Sequence, residues 1–144
     1  MPSESAKVVR SAYEKLRKAF TERVAARGFV RARSAFWVRE NGDALEVIHL
    51  FRSGSSFGSF GSSVEVVVSF AKWPRGVGEG PLNGPSDTRP ALSWRPHLRF
   101  DARSFDRFDR CLDDLMRLVV EVGEPWFPRG EAERMPAADS PVLR

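Results

Sequence analysis

Two stretches of helical periodicity bracket several stretches of alternating periodicity, and that order of pieces leaves few folds open. Between Ser3 and Arg27, Val9, Tyr13, Leu16, Phe20 and Val24 recur at spacings of three and four, which stacks them on one helix face. Gly28 fits the C-terminal stop. A second helix is predicted from Arg103 to Val122, with Ser104 as N-cap, Phe105, Phe108, Leu112, Leu115, Val119 and Val122 as its apolar stripe, and Gly123 as its end. Asp106 with Arg110, and Asp113 with Arg117, stand four apart and predict ion pairs on its solvent side.

Between the helices the pattern changes period. Val30 to Glu40 and Asp43 to Arg52 read as a hairpin closed by Asn41-Gly42, a preferred pair for a two-residue turn. With that loop, Val38 pairs with Leu45, Phe36 with Val47 and Ser34 with His49. Trp37, Arg39, Glu46, Ile48 and Leu50 then take the opposite face, with Arg31 across from Arg52. Ser53 to Ser63 is a Gly/Ser connector carrying Phe57 and Phe60. Ser63 to Ala71 is a strand with Val64, Val66, Val68 and Phe70 on one side. Trp73 to Pro90 is rich in Gly and Pro and reads as a loop. Ala91 to Phe100 reads as a fourth strand, placed at an edge because Pro96 cannot donate to a ladder.

One apolar stripe per helix and one consistently apolar sheet face predict an α+β two-layer sandwich, a mainly antiparallel sheet of about four strands with both helices on one face. The face expected under the helices carries Phe36, Val47, Val66 and Trp94. Residues 1–130 are expected to form a single domain, and the polar, Pro/Ala-containing residues 131–144 a disordered tail.

Composition narrows the function classes. At 144 residues the chain can bury a core without covalent staples. A single cysteine, Cys111, rules out an intrachain disulfide and suits a reducing compartment. The N-terminus lacks the apolar core of a signal peptide and no apolar run is long enough to span a membrane, so a cytoplasmic protein is expected. The net charge is +4 and the pI about 9.8, carried mainly by arginine, the better fork for phosphate and carboxylate.

No catalytic or metal-binding motif is recognisable. Cys111 borders the second helix's stripe and reads as an inert core thiol. His49 is expected to point toward the helices beside Ser34. Two histidines and one cysteine on separate elements do not make a zinc site. Asp106, Asp109, Asp113 and Asp114 share their helix with arginines and read as a solvated face. No cofactor is expected. The strongest candidate is the uncovered sheet face, where Arg31, Arg33, Trp37, Arg39, Arg52, Arg95, His97 and Arg99 would converge, helped by Phe57 and Phe60 on the connector. Trp and Arg are enriched at binding hot spots.

The leading helix closing on Gly28-Phe29, the strands Phe36-Trp37-Val38-Arg39 and Ile48-His49-Leu50, the Ser-containing loop, the following strand, the late helix and Pro125-Trp126-Phe127 together resemble bacterial domain of unknown function family 4304, over most of residues 5–130. The resemblance implies an α+β fold and a cytosolic bacterial protein, with no established activity. Small orphan domains of this sort often sit beside secreted toxins as immunity proteins, which is analogy at the level of fold.

The expectation is a non-enzymatic protein-interaction module, in its most concrete form an immunity-type inhibitor that blocks a toxin sterically. The basic charge points to an acidic toxin rather than a nuclease. A homodimer is compatible with the same surface. The alternative is a nucleic-acid-binding protein that stacks bases on Trp37 and holds phosphates with the arginines.

Overall fold

The computed structural model describes residues 4–53, 62–76, 80–87 and 92–133. Helix α1 (Glu4–Ala25) leads into five strands, β1 (Val30–Arg33), β2 (Phe36–Asn41), β3 (Ala44–Arg52), β4 (Ser63–Pro74) and β5 (Arg99–Asp101). Helix α2 (Phe108–Leu118) follows, then a π-helical turn (Val119–Gly123) and the short helix α3 (Glu124–Trp126). All strand pairs are antiparallel and neighbours in sequence are neighbours in the sheet, β1-β2-β3-β4-β5. The two-layer α+β arrangement is as expected, with five strands rather than about four.

The extra strand arises because Val30 to Glu40 is not one strand. The chain doubles back at Ser34-Ala35, so Arg33 pairs with Phe36 and Arg31 with Trp37. The expected like-charge pair of Arg31 and Arg52 therefore does not form; Arg52 lies opposite Val66. The Asn41-Gly42 hairpin closes with Asn41 opposite Ala44, Gly42 at φ 62. Phe36 consequently meets His49 and Val38 meets Val47. This is two residues from the expected register, and a shift of two keeps each side chain on its face.

The face that meets the helices is the opposite of the one expected for the hairpin. Trp37, Ile48 and Leu50 join Val64, Val66, Val68 and Phe70 in one core with the α1 stripe and with Leu112, Leu115 and Val119. The β3–β4 register decides this, because it sets Leu50 beside Val68 and Ile48 beside Phe70. The strand with the unambiguous apolar face carries the hairpin with it. Tyr13 of α1 donates its hydroxyl to the Leu50 carbonyl at 3.1 Å and fixes the helix over this face.

Two further expectations change. The fourth strand shrinks to Arg99–Asp101, and only the Leu98 carbonyl extends its pairing, by accepting from Val66 N–H. Pro96 accounts for the lost ladder. The second helix begins at Phe108 rather than near Ser104, because Asp101 accepts the N–H groups of Arg103 and Ser104 and holds that segment as a turn. Its i,i+4 pairs are Arg117–Glu121, exposed, and Arg110–Asp114, whose carboxylate is buried rather than on the expected solvated face, while Asp113 reaches Arg23 of α1. Nor does Gly123 end the helix. Pro125 has no N–H to give, the preceding turn widens, and the chain continues to Trp126. A Cβ at Gly123 would stand 2.5 Å from the Phe70 ring, so only glycine permits this approach of helix to sheet.

Residues 80–87 run along the outer edge of β4. Phe70 exchanges hydrogen bonds with Gly84 and Pro85, and Asp87 N–H donates to Val68. Trp73 donates its indole N–H to Pro81 and lies over Val47 and Ala71 as a second small core. The chain stays tied to the sheet as far as Glu133, whose N–H donates to Lys72. Residues 134–144 of the expected tail, and Phe57 and Phe60 of the connector, lie outside the described residues.

Candidate functional site

The arginines expected to converge on one open face are divided between two sides of the sheet. Arg31 and Arg39 sit with Trp37 on the helix side. Arg31 forms a two-pronged contact with Glu14 of α1 at 3.1 and 3.2 Å. Arg39 donates to both oxygens of Glu124 at 3.0 and 2.6 Å and to the buried Glu46 at 2.7 Å. These bonds hold the Arg39 guanidinium above its usual range and Glu124 below the usual carboxylate range. Trp37 is fully buried, edge-on to Phe20 at 5.0 Å, with its indole N–H donated to Thr21. All three lock the helices to the sheet. Their pattern in sequence is that of a hot spot, but the partner they serve is the chain's own helix layer.

The other side of the sheet is apolar too. Phe36, Val38, Leu45, His49, Phe51 and Val67 are left partly or wholly accessible around the small core that Trp73 covers. His49 lies between Phe36 and Phe51, ring centroids 4.5 and 5.3 Å away. It points away from the helices, a correction that follows from the inverted hairpin face. Its Nδ1 is buried without a hydrogen-bond partner, and burial holds the ring's pKa down, so it presents a neutral aromatic edge. Phe51 remains 38% exposed. Arg33 lies over the Phe36 ring at 5.5 Å and places a cation at the strip's β1 end.

Arg95, His97 and Arg99 do come together, beside β5. They line a groove of about 760 Å³ with Glu65, Val67 and Asp87. Glu65 and Val67 share one face of β4 with Ser69 and Ala71, so this groove continues the apolar strip at its β5 end. His97 and Arg99 also belong to a neighbouring groove of about 510 Å³ that includes Asp101, Asp106 and Arg107. Arg107 Nη1 lies 3.1 Å from His97 Nε2. Since arginine can only donate, Nε2 accepts and the imidazole is neutral. Burial, then the Arg107 charge, pushes the His97 pKa down. Asp87 has one carboxyl oxygen buried without a partner, and burial raises its pKa to about 6.

The buried Cys111 thiol is pushed up to about 12 by desolvation and is an inert core group. No cluster of three or more His, Cys, Asp or Glu side chains among the described residues could hold a metal ion. No helix among them is long and apolar enough to cross a membrane.

Sequence reasoning missed Phe36, His49 and Phe51 as surface groups because their alternation matches that of a core face. Asp87 and Arg107 carried no sequence signal, since their roles depend on where two loops pass the edge of β4. No family model, no curated protein and no solved structure matches the chain.

Proposed function

We propose that this chain is a protein-interaction module that acts by steric occlusion. Its most concrete form is an immunity-type inhibitor working in the bacterial cytoplasm against an acidic toxin. The observation that supports the reading is the second sheet face, where an aromatic strip of Phe36, His49 and Phe51 lies between Arg33 at one end and Arg95 and Arg99 at the other. Aromatic side chains lose little conformational entropy on contact, and arginine supplies forked donors to carboxylates at a polar rim. A net charge of +4 adds attraction to an acidic partner. The occupant that fits is a folded protein with an apolar patch rimmed by Asp and Glu.

Nucleic-acid stacking is the less favoured use of this face. Its expected platform residue, Trp37, is in the core, and Phe36 leans on Trp73 at 5.8 Å instead of standing free to stack a base.

The test is capture from an extract of the native cells by the tagged chain, compared with Phe51→Asp and Phe36→Ser, at low and high salt. A single stoichiometric protein, retained at high salt by the parent and lost by both variants, supports the reading. Nucleic acid released by salt overturns it in favour of the alternative. An unchanged protein partner in both variants moves the interface off this face. A dimer seen by sizing, broken by the same substitutions, makes a second copy the occupant.

A further inference from the structure

We propose that His97 and Arg99, on the wall shared by the two grooves beside β5, form with Arg107 of the smaller groove a binding site for an oxyanion of the phosphate or carboxylate type. This site adjoins the β5 end of the apolar strip and shares Arg99 with it, but it takes a small anion and does not depend on the protein-binding reading.

The first support is the state of the cations. Arg99 and Arg107 meet their nearest carboxylates, Glu65 and Asp106, only at 3.8 and 3.9 Å, between side chains that are all well exposed. Such pairs hold their partners weakly and leave most guanidinium N–H groups free for a ligand. Arg95, exposed in the adjoining groove, has no ion-pair partner among the described residues. Of the acids around the two grooves, Glu65 and Asp106 are the exposed, weakly held partners of Arg99 and Arg107, Asp87 is held toward its neutral form by burial, and Asp101 and Asp114 are occupied. Asp101 accepts from Arg103 N–H, Ser104 N–H and the Ser62 hydroxyl. Asp114 accepts from Arg110 and from the His97 backbone N–H.

The second support is the aim of Arg107. It precedes α2 in the left-handed region at φ 69, and Phe105 two residues earlier sits at φ 60. Non-glycine residues hold that conformation only where the surroundings impose it. The result is a cation whose acceptor in the free protein is a neutral ring nitrogen. An oxyanion is a better acceptor for a guanidinium than an imidazole. A ligand between Arg99 and Arg107 would take over that hydrogen bond and free His97 Nε2. The anion's charge would offset the repulsion from Arg107, Arg110 and Arg99, so His97 would pick up a proton and add a third donor. Asp114, already facing His97, favours that proton as well. Anion binding is therefore coupled to protonation at one identified ring, and the coupling is reciprocal.

The experiment is an NMR pH titration of both histidine rings in the full chain, at constant ionic strength, with and without inorganic phosphate and, separately, acetate. The site predicts that phosphate raises the His97 pKa by about one unit while His49, stacked between two phenylalanines, does not respond. Arg107→Gln and Arg99→Gln, both at exposed positions, should each cancel the response without altering the fold. A response to phosphate alone assigns the ligand to phosphates, and an equal response to acetate assigns it to carboxylates. No response to either anion overturns the proposal. So does a response that survives in both variants, since that would be bulk screening.

Discussion

Replacing Trp37 with alanine separates the two possible orientations of the hairpin, because a packed tryptophan and a surface tryptophan fail in different ways. In this fold Trp37 has no exposed surface, donates its indole N–H to Thr21 at 2.9 Å and meets the edge of Phe20 at 5.0 Å. Truncating a buried tryptophan costs about 3 to 5 kcal/mol through lost transfer energy and the cavity left behind. Losing the aromatic pair costs about 0.5 to 1.5 kcal/mol more, and leaving the half-buried Thr21 hydroxyl without its donor about 1 kcal/mol. Together these come to about 4.5 to 7.5 kcal/mol, comparable with the whole stability of a small domain, about 5 to 15 kcal/mol. Phe51→Ala, at a position with solvent on one side, should cost about 1 kcal/mol. Urea unfolding followed by far-UV circular dichroism measures both. Trp37→Ala should unfold at much lower urea or be unfolded outright, with Phe51→Ala close to the parent. A Trp37→Ala chain as stable as the parent, alongside a badly destabilised Phe51→Ala, would put the helices on the other face.

Gly123→Ala should lower the melting temperature markedly, because the new methyl group lands 2.5 Å from the Phe70 ring; overpacking of a buried position costs about 1 to 3 kcal/mol, and a melt no different from the parent would contradict the helix–sheet contact. Asp87→Asn should stabilise the chain above pH 7 and leave it unchanged near pH 4. The folded-state pKa of about 6 lies above the ordinary value, so the folded carboxyl holds its proton more tightly, and stability is lost as pH rises through that range; thermal melts at the two pH values decide it. Glu124 behaves oppositely, since its folded pKa is lowered: the Arg39–Glu124 contribution is present above the ordinary carboxylate pKa and lost as pH falls below it. Glu124→Gln should therefore flatten the acid limb of the stability profile. Cys111 should react with a thiol reagent only at the rate of global unfolding, and fast labelling of the folded chain would place it at the surface.

The helices were legible because their stripes had one period and one reading; Val9, Tyr13, Leu16, Phe20 and Val24 are all buried as their spacing required. The β4 face was legible for the same reason. The β2–β3 hairpin was not, because both of its faces are apolar: Phe36, Val38, Leu45 and Val47 on one, Trp37, Ile48 and Leu50 on the other. Period-two alternation assigns residues to two faces but does not say which face the helices take. That choice came from long-range register against β4, and from Arg39, whose long side chain could turn toward the helices because Glu46 and Glu124 receive it there. The site was half legible. Arg95, His97 and Arg99 meet because they are close in sequence, whereas the strip of Phe36, His49 and Phe51 was hidden by looking like core.

Binding of another protein by the apolar second face of the sheet would leave a footprint on the backbone amides of that face. The most direct measurement is hydrogen–deuterium exchange of the chain alone and mixed with the protein it captures from its own cells. Slowed exchange is expected only in β2, β3 and the β4 segment around Val67, with α1 unchanged. Protection on α1 and α2 with no change in β3 would contradict it.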